Sequence, residues 1–233
     1  MSNSSVDNKQ KGSIDRNRAN LLRDIEQPTL LFLCRIMPKF LTPDLLTAIG
    51  MVGTLIIFGA FYVASVTHEK IYILWAVLGF AINWFGDSLD GRIAYYRNIP
   101  RKWYGFALDC VMDWMSLVFM SAGFFFYIED AFKLFVFLFA CNYGWVVLVA
   151  QLRYKITDKY SIDPGPIGQT EVRILLCLVI IAEWYFGNVL IYFSNIGNVV
   201  FLLINLVDTY KLLQAGNARD AEEKRLKAEA AQK

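Results

Sequence analysis

The sequence predicts an all-α integral membrane protein in which six transmembrane helices follow a cytoplasmic amphipathic interfacial helix. Of its 233 residues, 56% are hydrophobic and 19% are charged, whereas soluble domains average about 45–50% and about 25%. The charged residues are concentrated at the two ends and in a few short segments. The apolar stretches between them are longer than a soluble core of this size requires. Composition therefore disfavours a soluble enzyme and excludes disordered and disulfide-rich classes.

The N-terminal region is predicted to lie outside the membrane core. Residues 1–17 are polar, so we expect disorder there and no cleavable signal peptide. Residues 18–43 combine leucines and isoleucines with Arg23, Arg35 and Lys39. This pattern is typical of an amphipathic helix whose basic residues lie near anionic headgroups.

A transmembrane domain is predicted over residues 44–213. A hydrocarbon core about 30 Å thick needs about 20 apolar residues per helix. Six windows fit this length, at 45–66, 71–95, 104–128, 131–152, 168–186 and 189–211. The remaining residues, 214–233, form a charged tail with glutamate and lysine at helix-pairing distances, which we interpret as a solvated helix.

The distribution of positive charge predicts the orientation. All of the 23 lysines and arginines except Lys70 and Lys133 fall on one side of the predicted spans. Because cytoplasmic loops carry the excess of basic residues, both termini are expected on the cytoplasmic side of an inner membrane. The net charge of +2 gives no indication of nucleic-acid binding.

The scarcity of histidine and the isolation of the cysteines exclude several chemistries. The four cysteines form no CxxC pair, and His68 is the single histidine, in a predicted outer loop. Zinc ligation and a disulfide framework are therefore disfavoured. A catalytic triad on the cytoplasmic face would have no histidine base.

Four aspartates interrupt the second and third spans. Asp87 and Asp90 are three residues apart, and Asp109 and Asp113 are four apart, so each pair shares one helix face. Each charge near the middle of a span costs about 2.5–3.5 kcal/mol on insertion scales. Because four aspartates are present despite this energetic cost, we expect them to have a function.

Helix depth predicts that the two pairs face each other. Counting from residue 71 at 1.5 Å per residue, Asp87 lies about 24 Å from the outer edge. Counting from Gly105, Asp109 and Asp113 lie about 6 and 12 Å from the inner edge. Facing carboxylates repel one another unless hard cations neutralise them, and oxygen ligands select Mg²⁺ or Mn²⁺ over zinc. We therefore predict a site for two metal ions.

Small and polar residues near the acids have two interpretations. Gly91 and Gly105 allow a ligand to approach the backbone closely, although glycines also pack membrane helices together. Polar side chains elsewhere in the spans are expected mainly to form hydrogen bonds between helices. They are Asn83, Asn142, Asn198, Asn205 and Asp208.

These residues resemble the signature of the CDP-alcohol phosphotransferase family, D-x2-D-G-x2-A-R-x8-G-x3-D-x3-D. Seven positions match in order, namely Asp87, Asp90, Gly91, Ala94, Gly105, Asp109 and Asp113. Tyr95 stands where the signature has arginine, and the gap to Gly105 is one residue longer. Arg92 and Arg97 are the nearest replacements for that arginine. Six spans after an amphipathic helix also fit the family.

The resemblance implies a role for each matched residue. Asp87, Asp90 and Asp109 would hold two divalent ions on the donor pyrophosphate, with Asp113 near them as the general base for the acceptor hydroxyl. The donor nucleotide would lie beside Gly91, Ala94 and Gly105, with Arg97 near its phosphates. The resemblance further implies a homodimer.

A second cluster is a candidate for acceptor binding. Residues 163–173 open the fifth span with proline, glycine, Thr170, Glu171 and Arg173, and resemble a Gly-Pro-Thr-Glu element of some family branches. Arg153, Lys155 and Arg173 would bind an anionic acceptor. The alternative is an ordinary helix start with juxtamembrane positive charge.

The predicted function is transfer of a phosphatidyl group from a CDP-linked donor, CDP-diacylglycerol in first place, to a polar alcohol such as inositol phosphate or glycerol phosphate. CMP would be released. Transfer from CDP-choline or CDP-ethanolamine to a lipid alcohol is the alternative within the same class. A cation transporter and an inactive membrane scaffold are alternatives from other classes.

Overall fold

The computed structural model describes residues 22–157 and 168–231, and the regular elements in these residues are all helices. Short 3₁₀ helices at Lys70–Leu74 and Asp130–Phe132 precede two of the longer helices. The α-helices are α1 (Arg23–Ile36), α2 (Pro43–Thr67), α3 (Trp75–Tyr96), α4 (Lys102–Tyr127), α5 (Lys133–Thr157), α6 (Gln169–Phe186) and α7 (Val189–Ala231).

Five of these helical segments are long and apolar enough to cross a membrane. They are Pro43–Thr67, Lys70–Tyr96, Lys102–Tyr127, Asp130–Thr157 and Val189–Ala230. The prediction of an all-α protein with several membrane-spanning helices is therefore confirmed. Each segment overlaps one of the predicted windows, and the last extends well beyond its window.

Helix α6 coincides with the remaining window but is not among the five candidate spans. Its 18 residues would span about 27 Å, but they include Glu171, Arg173 and Glu183. Each of the three has a partner in the structure: Glu171 accepts from the Leu22 N–H, Arg173 pairs with Asp87, and Glu183 accepts from the Tyr127 hydroxyl. The count of six spans stays a prediction.

The first helix lies within its predicted range, whereas the last helix extends beyond the predicted end of the transmembrane domain. Helix α1 lies inside the predicted range 18–43, whereas the predicted disordered segment 1–17 lies outside the described residues. Helix α7 continues without interruption to Ala231, past the boundary predicted at residue 213. The charged tail is thus a continuation of the last apolar helix.

The described residues divide into two compact units, 22–129 with 168–190 and 130–157 with 191–231. The first unit contains α1 to α4 and α6. In it, α1 packs on α3 through a fully buried cluster in which Leu30 and Cys34 meet Leu46, Leu89 and Ile93. Burial of this cluster fixes α1 against the half of α3 that carries the aspartates.

Helices α2 and α3 touch backbone to backbone. A Cβ at Gly86 would lie 2.4 Å from both the Gly50 nitrogen and the Leu46 carbonyl oxygen, and one at Gly53 would lie 2.4 Å from the Asn83 nitrogen. Small residues permit this approach, which is common where membrane helices pack. Because Gly86 immediately precedes Asp87, the contact fixes the position of the first aspartate.

The second unit contains α5 and most of α7, joined by polar contacts. The Asn142 amide donates to the Asn198 side chain at 3.1 Å, and the Asn205 amide donates to the Asn142 carbonyl oxygen at 2.9 Å. Arg153 pairs with Asp208 at 3.2 Å. The prediction that these polar residues link helices is confirmed.

Candidate metal centre

Three of the four predicted metal ligands meet in the first unit. Asp87 of α3 and Asp109 and Asp113 of α4 each offer a carboxylate oxygen, and these oxygens lie within 4.8 Å of one another. All three residues are partly buried. We call this group the acid cluster.

Asp90, the fourth predicted ligand, stands apart from the acid cluster. Its Oδ2 accepts a hydrogen bond from the Thr47 hydroxyl at 2.7 Å, and its Oδ1 accepts from the Gly91 N–H at 2.5 Å. The contact with Thr47 joins α2 to α3. Sequence reasoning did not identify Thr47, because it lies 43 residues away on a helix without acidic residues beyond its first turn.

A small cavity of about 20 Å³ opens beside the acid cluster. This is enough for a group the size of a water molecule or a metal ion. Helices α2, α3 and α4 all contribute to its wall, which is polar on several sides. The wall residues are Thr47, Gly50, Met51, Asn83, Asp87, Asp109, Met112, Asp113 and Ser116.

Buried hydrogen bonds hold the polar side of this cavity. The Asn83 amide donates to the Thr54 hydroxyl and to the Gly50 carbonyl oxygen, both at 3.2 Å. The Thr54 hydroxyl lies 3.0 Å from that of Ser116 on α4. Asn83 and Thr54 are 5% and 0% exposed, so these bonds rigidly connect the three helices that surround the acids.

Helix α6 brings Arg173 to the acid cluster. The Arg173 guanidinium contacts the Asp87 carboxylate at 2.5 Å, and both side chains are more than four-fifths buried. Glu171 orients the start of α6 by accepting from the N–H groups of Gly168 and Leu22, at 3.0 and 2.9 Å. The predicted acceptor-binding arginine therefore lies directly beside a predicted metal ligand.

The two predicted donor-binding glycines face open space. Apart from the neighbouring residues and backbone of its own helix, a Cβ at Gly91 or at Gly105 would have no atom of the described chain within 4 Å. Neither glycine is needed for helix packing within the described residues, in contrast to Gly86. Ala94 lies one turn after Gly91 on α3 and is half-buried.

Arg97 contacts backbone oxygens of the connection between α1 and α2. Its guanidinium donates hydrogen bonds at 2.6 to 3.4 Å to four carbonyl groups, which are those of Met37, Pro38, Lys39 and Leu41. A guanidinium with this many acceptors already fixed favours a structural role over the predicted contact with donor phosphates.

The other predicted acceptor-binding residues belong to the second unit. Arg153 forms its ion pair with Asp208, and the Lys155 carbonyl oxygen accepts from Arg219 of α7 at 2.9 Å. The Gly-Pro stretch at 163–167 that suggested an acceptor element lies outside the described residues. Of the three predicted cations, the structure brings Arg173 to the aspartates.

The acid cluster fits a divalent metal ion. Its ligand atoms are all carboxylate oxygens, which suit Mg²⁺ and Mn²⁺, and they are close enough together to share an ion. Three carboxylates crowded in apolar helices also repel one another, so a bound cation would stabilise the arrangement. The adjoining cavity gives an ion room.

Comparison with known families identifies the domain. The family model described as CDP-alcohol phosphatidyltransferase matches residues 40–208, which is more than half of the chain and includes every site residue discussed above. No curated protein sequence matches the chain.

Proposed function

Because the chain belongs to the CDP-alcohol phosphatidyltransferase family, we propose that it transfers a phosphatidyl group from CDP-diacylglycerol to a polar alcohol and releases CMP. Members of this family are transferases of substituted phosphate groups. The observation that supports the proposal most strongly is the acid cluster, in which three carboxylates of two apolar helices converge. Such groups within a membrane are expensive and mark functional sites.

The family uses divalent metal ions, and we assign two Mg²⁺ or Mn²⁺ ions to Asp87, Asp90, Asp109 and Asp113. When bound, such ions would neutralise negative charge on the donor pyrophosphate and on the phosphoryl group in transfer. Thr47 and the Gly91 N–H hold the Asp90 carboxylate in a fixed orientation. Arg173 holds the Asp87 carboxylate.

Asp113 is proposed as the general base. Its carboxylate would take the proton of the acceptor hydroxyl while the hydroxyl oxygen forms a bond to the phosphorus of the phosphatidyl group. The bond from that phosphorus to the bridging pyrophosphate oxygen breaks, and CMP leaves with the electron pair. Asp113 lines the cavity, where an acceptor hydroxyl can reach it.

The donor nucleotide is proposed to lie along the open sides of Gly91 and Gly105, with Ala94 beside it. The absence of other described atoms within 4 Å of either glycine position leaves room for a ligand at the backbone. The lipid tails of the donor would remain in the bilayer.

Arg173 is the proposed first contact for an anionic acceptor such as inositol phosphate or glycerol phosphate, since a guanidinium suits phosphate. Arg153 and Lys155 of the second unit are further candidates. Replacing Arg173 with lysine retains the charge but removes the planar pair of donors. We expect a higher apparent KM for the acceptor, measured at saturating donor.

We further propose that the protein is a homodimer in an inner membrane, with both termini and the acid cluster on the cytoplasmic side. The distribution of lysine and arginine supports this orientation. Reporter fusions at each terminus test it, because an extracytoplasmic signal at either end would contradict it. Chemical cross-linking in membranes tests the dimer.

The enzymatic proposal is tested by CMP release in vesicles that contain the protein. One series offers CDP-diacylglycerol with glycerol phosphate, inositol phosphate or other polar alcohols, and another offers CDP-choline or CDP-ethanolamine with diacylglycerol. We expect metal-dependent CMP release in the first series. Release confined to the second series would assign the CDP moiety to the headgroup and overturn the proposed donor.

The matched variants are Asp113→Asn and Asp130→Asn. Asp113→Asn should lower the rate by about 10²–10⁴-fold if it removes the general base. Asp130 lies between α4 and α5 and its side chain is 94% exposed, so its variant should behave as wild type. Equal rates for wild type and Asp113→Asn would refute the role of Asp113.

A further inference from the structure

The Thr47 side chain joins α2 to Asp90 of α3. Its hydroxyl donates to Asp90 Oδ2 at 2.7 Å, and the Thr47 side chain is largely buried and lines the cavity beside the acid cluster. A hydroxyl bond to a carboxylate at this distance is charge-assisted and is stronger than a bond between neutral groups.

The alternative partner of the Thr47 hydroxyl is weaker. Its oxygen also lies 3.2 Å from the Pro43 carbonyl oxygen, one turn earlier on α2. A hydroxyl has a single proton, so the shorter contact to the carboxylate is favoured. The Thr47 hydroxyl therefore bonds to Asp90 in preference to the carbonyl oxygen of its own helix.

The backbone around Thr47 cannot shift easily. The Leu46 carbonyl oxygen and the Gly50 nitrogen, on either side of Thr47 in sequence, both lie 2.4 Å from the position that a Cβ at Gly86 would take. The contact between α2 and α3 thus fixes the distance from Thr47 to Asp90. The Gly91 N–H donates to Oδ1 of Asp90, so both carboxylate oxygens of Asp90 accept a hydrogen bond. The carboxylate is thereby fixed in orientation.

We propose that Thr47 is a positioning residue whose hydroxyl orients Asp90 for metal binding. This inference rests on the proposed metal-dependent function. Hydrogen bonds to a ligating carboxylate fix its orientation, and their loss typically lowers metal affinity by about 10- to 100-fold. The role does not require Thr47 to touch the metal or either substrate.

The test is Mn²⁺ binding to purified full-length protein in lipid nanodiscs, followed by electron paramagnetic resonance of free Mn²⁺. Thr47→Val removes the hydroxyl and keeps the shape, and it should weaken binding by about 10- to 100-fold. Thr47→Ser keeps a donor and should restore most of the affinity. Thr29→Val is the matched control, because the exposed Thr29 hydroxyl donates to the Ile25 carbonyl oxygen of its own helix.

A double variant separates positioning from general destabilisation. If Thr47 acts through Asp90, Thr47→Val should have no further effect on Mn²⁺ affinity in an Asp90→Ala background. Should Thr47→Val fail to fold, Thr47→Cys retains the size with only a weak donor and gives the same readout. Wild-type Mn²⁺ affinity in the valine or cysteine variant would overturn the role of Thr47.

The same titration distinguishes this inference from the proposed function. If wild type binds no Mn²⁺, or if Asp109→Asn leaves binding unchanged, the metal-dependent function fails. If Asp109→Asn abolishes binding while Thr47→Val leaves it unaltered, the function stands and the inference about Thr47 fails.

Discussion

Both units of the protein place acidic residues within candidate membrane spans, but they use them differently. In the second unit, Asp208 is paired with Arg153 at 3.2 Å and both side chains are about one-fifth exposed. In the first unit, Asp87, Asp109 and Asp113 converge within 4.8 Å, and Arg173 contacts Asp87. One unit balances an acid with a base, whereas the other crowds acids together.

The difference shows when an acid in an apolar helix indicates function. A single acid with a basic partner is a structural link, of the same kind as the neighbouring asparagine hydrogen bonds of α5 and α7. Crowded acids oppose folding, because each raises the cost of the others. Their presence beside a cavity is explained by a ligand that carries positive charge.

Asp109→Asn should give the largest effect that separates the two units. Losing a metal ligand removes several kcal/mol of transition-state stabilisation, so CMP release should fall by about 1000-fold. Asp208→Asn should keep a rate close to wild type at saturating acceptor. A comparable loss in both variants would abolish the functional distinction between the two acids.

Stabilisation by added metal ions should also distinguish Asp109 of the first unit from Asp208 of the second. A ligand that binds the folded state raises the melting temperature in proportion to the logarithm of its concentration. Mn²⁺ should therefore stabilise wild type and Asp208→Asn, and should leave Asp109→Asn unaffected. Thermal unfolding in detergent with and without Mn²⁺ measures this, and equal stabilisation of all three would place the metal elsewhere.

The helix contacts of the two units should also respond differently to added volume. A Cβ at Gly86 meets backbone atoms at 2.4 Å, whereas one at Gly197 of α7 meets the Phe139 ring at 2.6 Å. Backbones of packed helices cannot move aside as a ring can, so Gly86→Ala should lower stability by about 1–3 kcal/mol. Gly197→Ala should have a smaller effect on the melting temperature.

Replacing the ion pair of the second unit tests its structural nature. Asp208→Leu alone leaves Arg153 facing an apolar partner, and we expect a loss of about 1 kcal/mol after allowing for partial solvent screening. The double variant Arg153→Met with Asp208→Leu should recover most of that loss, because a matched apolar pair can replace an ion pair. Thermal unfolding of the two variants measures the recovery.

Much of this arrangement follows from the sequence because it depends on local periodicity. The six apolar windows correspond to α2 to α7, and the three acids that meet are among the four that the three- and four-residue spacings paired. Helix α7 joins the last apolar window to the predicted helical tail, because a charged, helix-favouring segment continues an apolar helix without a break.

The remaining features depend on contacts between distant segments. Asp90 shares a helix face with Asp87 by spacing, but its carboxylate accepts a hydrogen bond from Thr47 of α2 and is not one of the three that form the acid cluster. Arg97 lies near the signature in sequence, yet its guanidinium donates hydrogen bonds to backbone carbonyl oxygens in the connection between α1 and α2. Neither Thr47 nor the carbonyl groups around Arg97 has a local pattern that would have revealed its role.

Gly91→Ala should have the smallest effect on stability and the most selective effect on function. Apart from its own helix backbone and chain neighbours, no described atom lies within 4 Å of a Cβ at this position, and alanine is favoured over glycine in a helix by up to about 1 kcal/mol. The variant should therefore fold at least as well as wild type, unlike Gly86→Ala. If the donor nucleotide lies against this backbone, the added methyl group should raise the apparent KM for the CDP-linked donor and leave that for the acceptor unchanged. Steady-state kinetics with each substrate varied in turn measure the two values, and an unaltered donor KM would move the nucleotide away from α3.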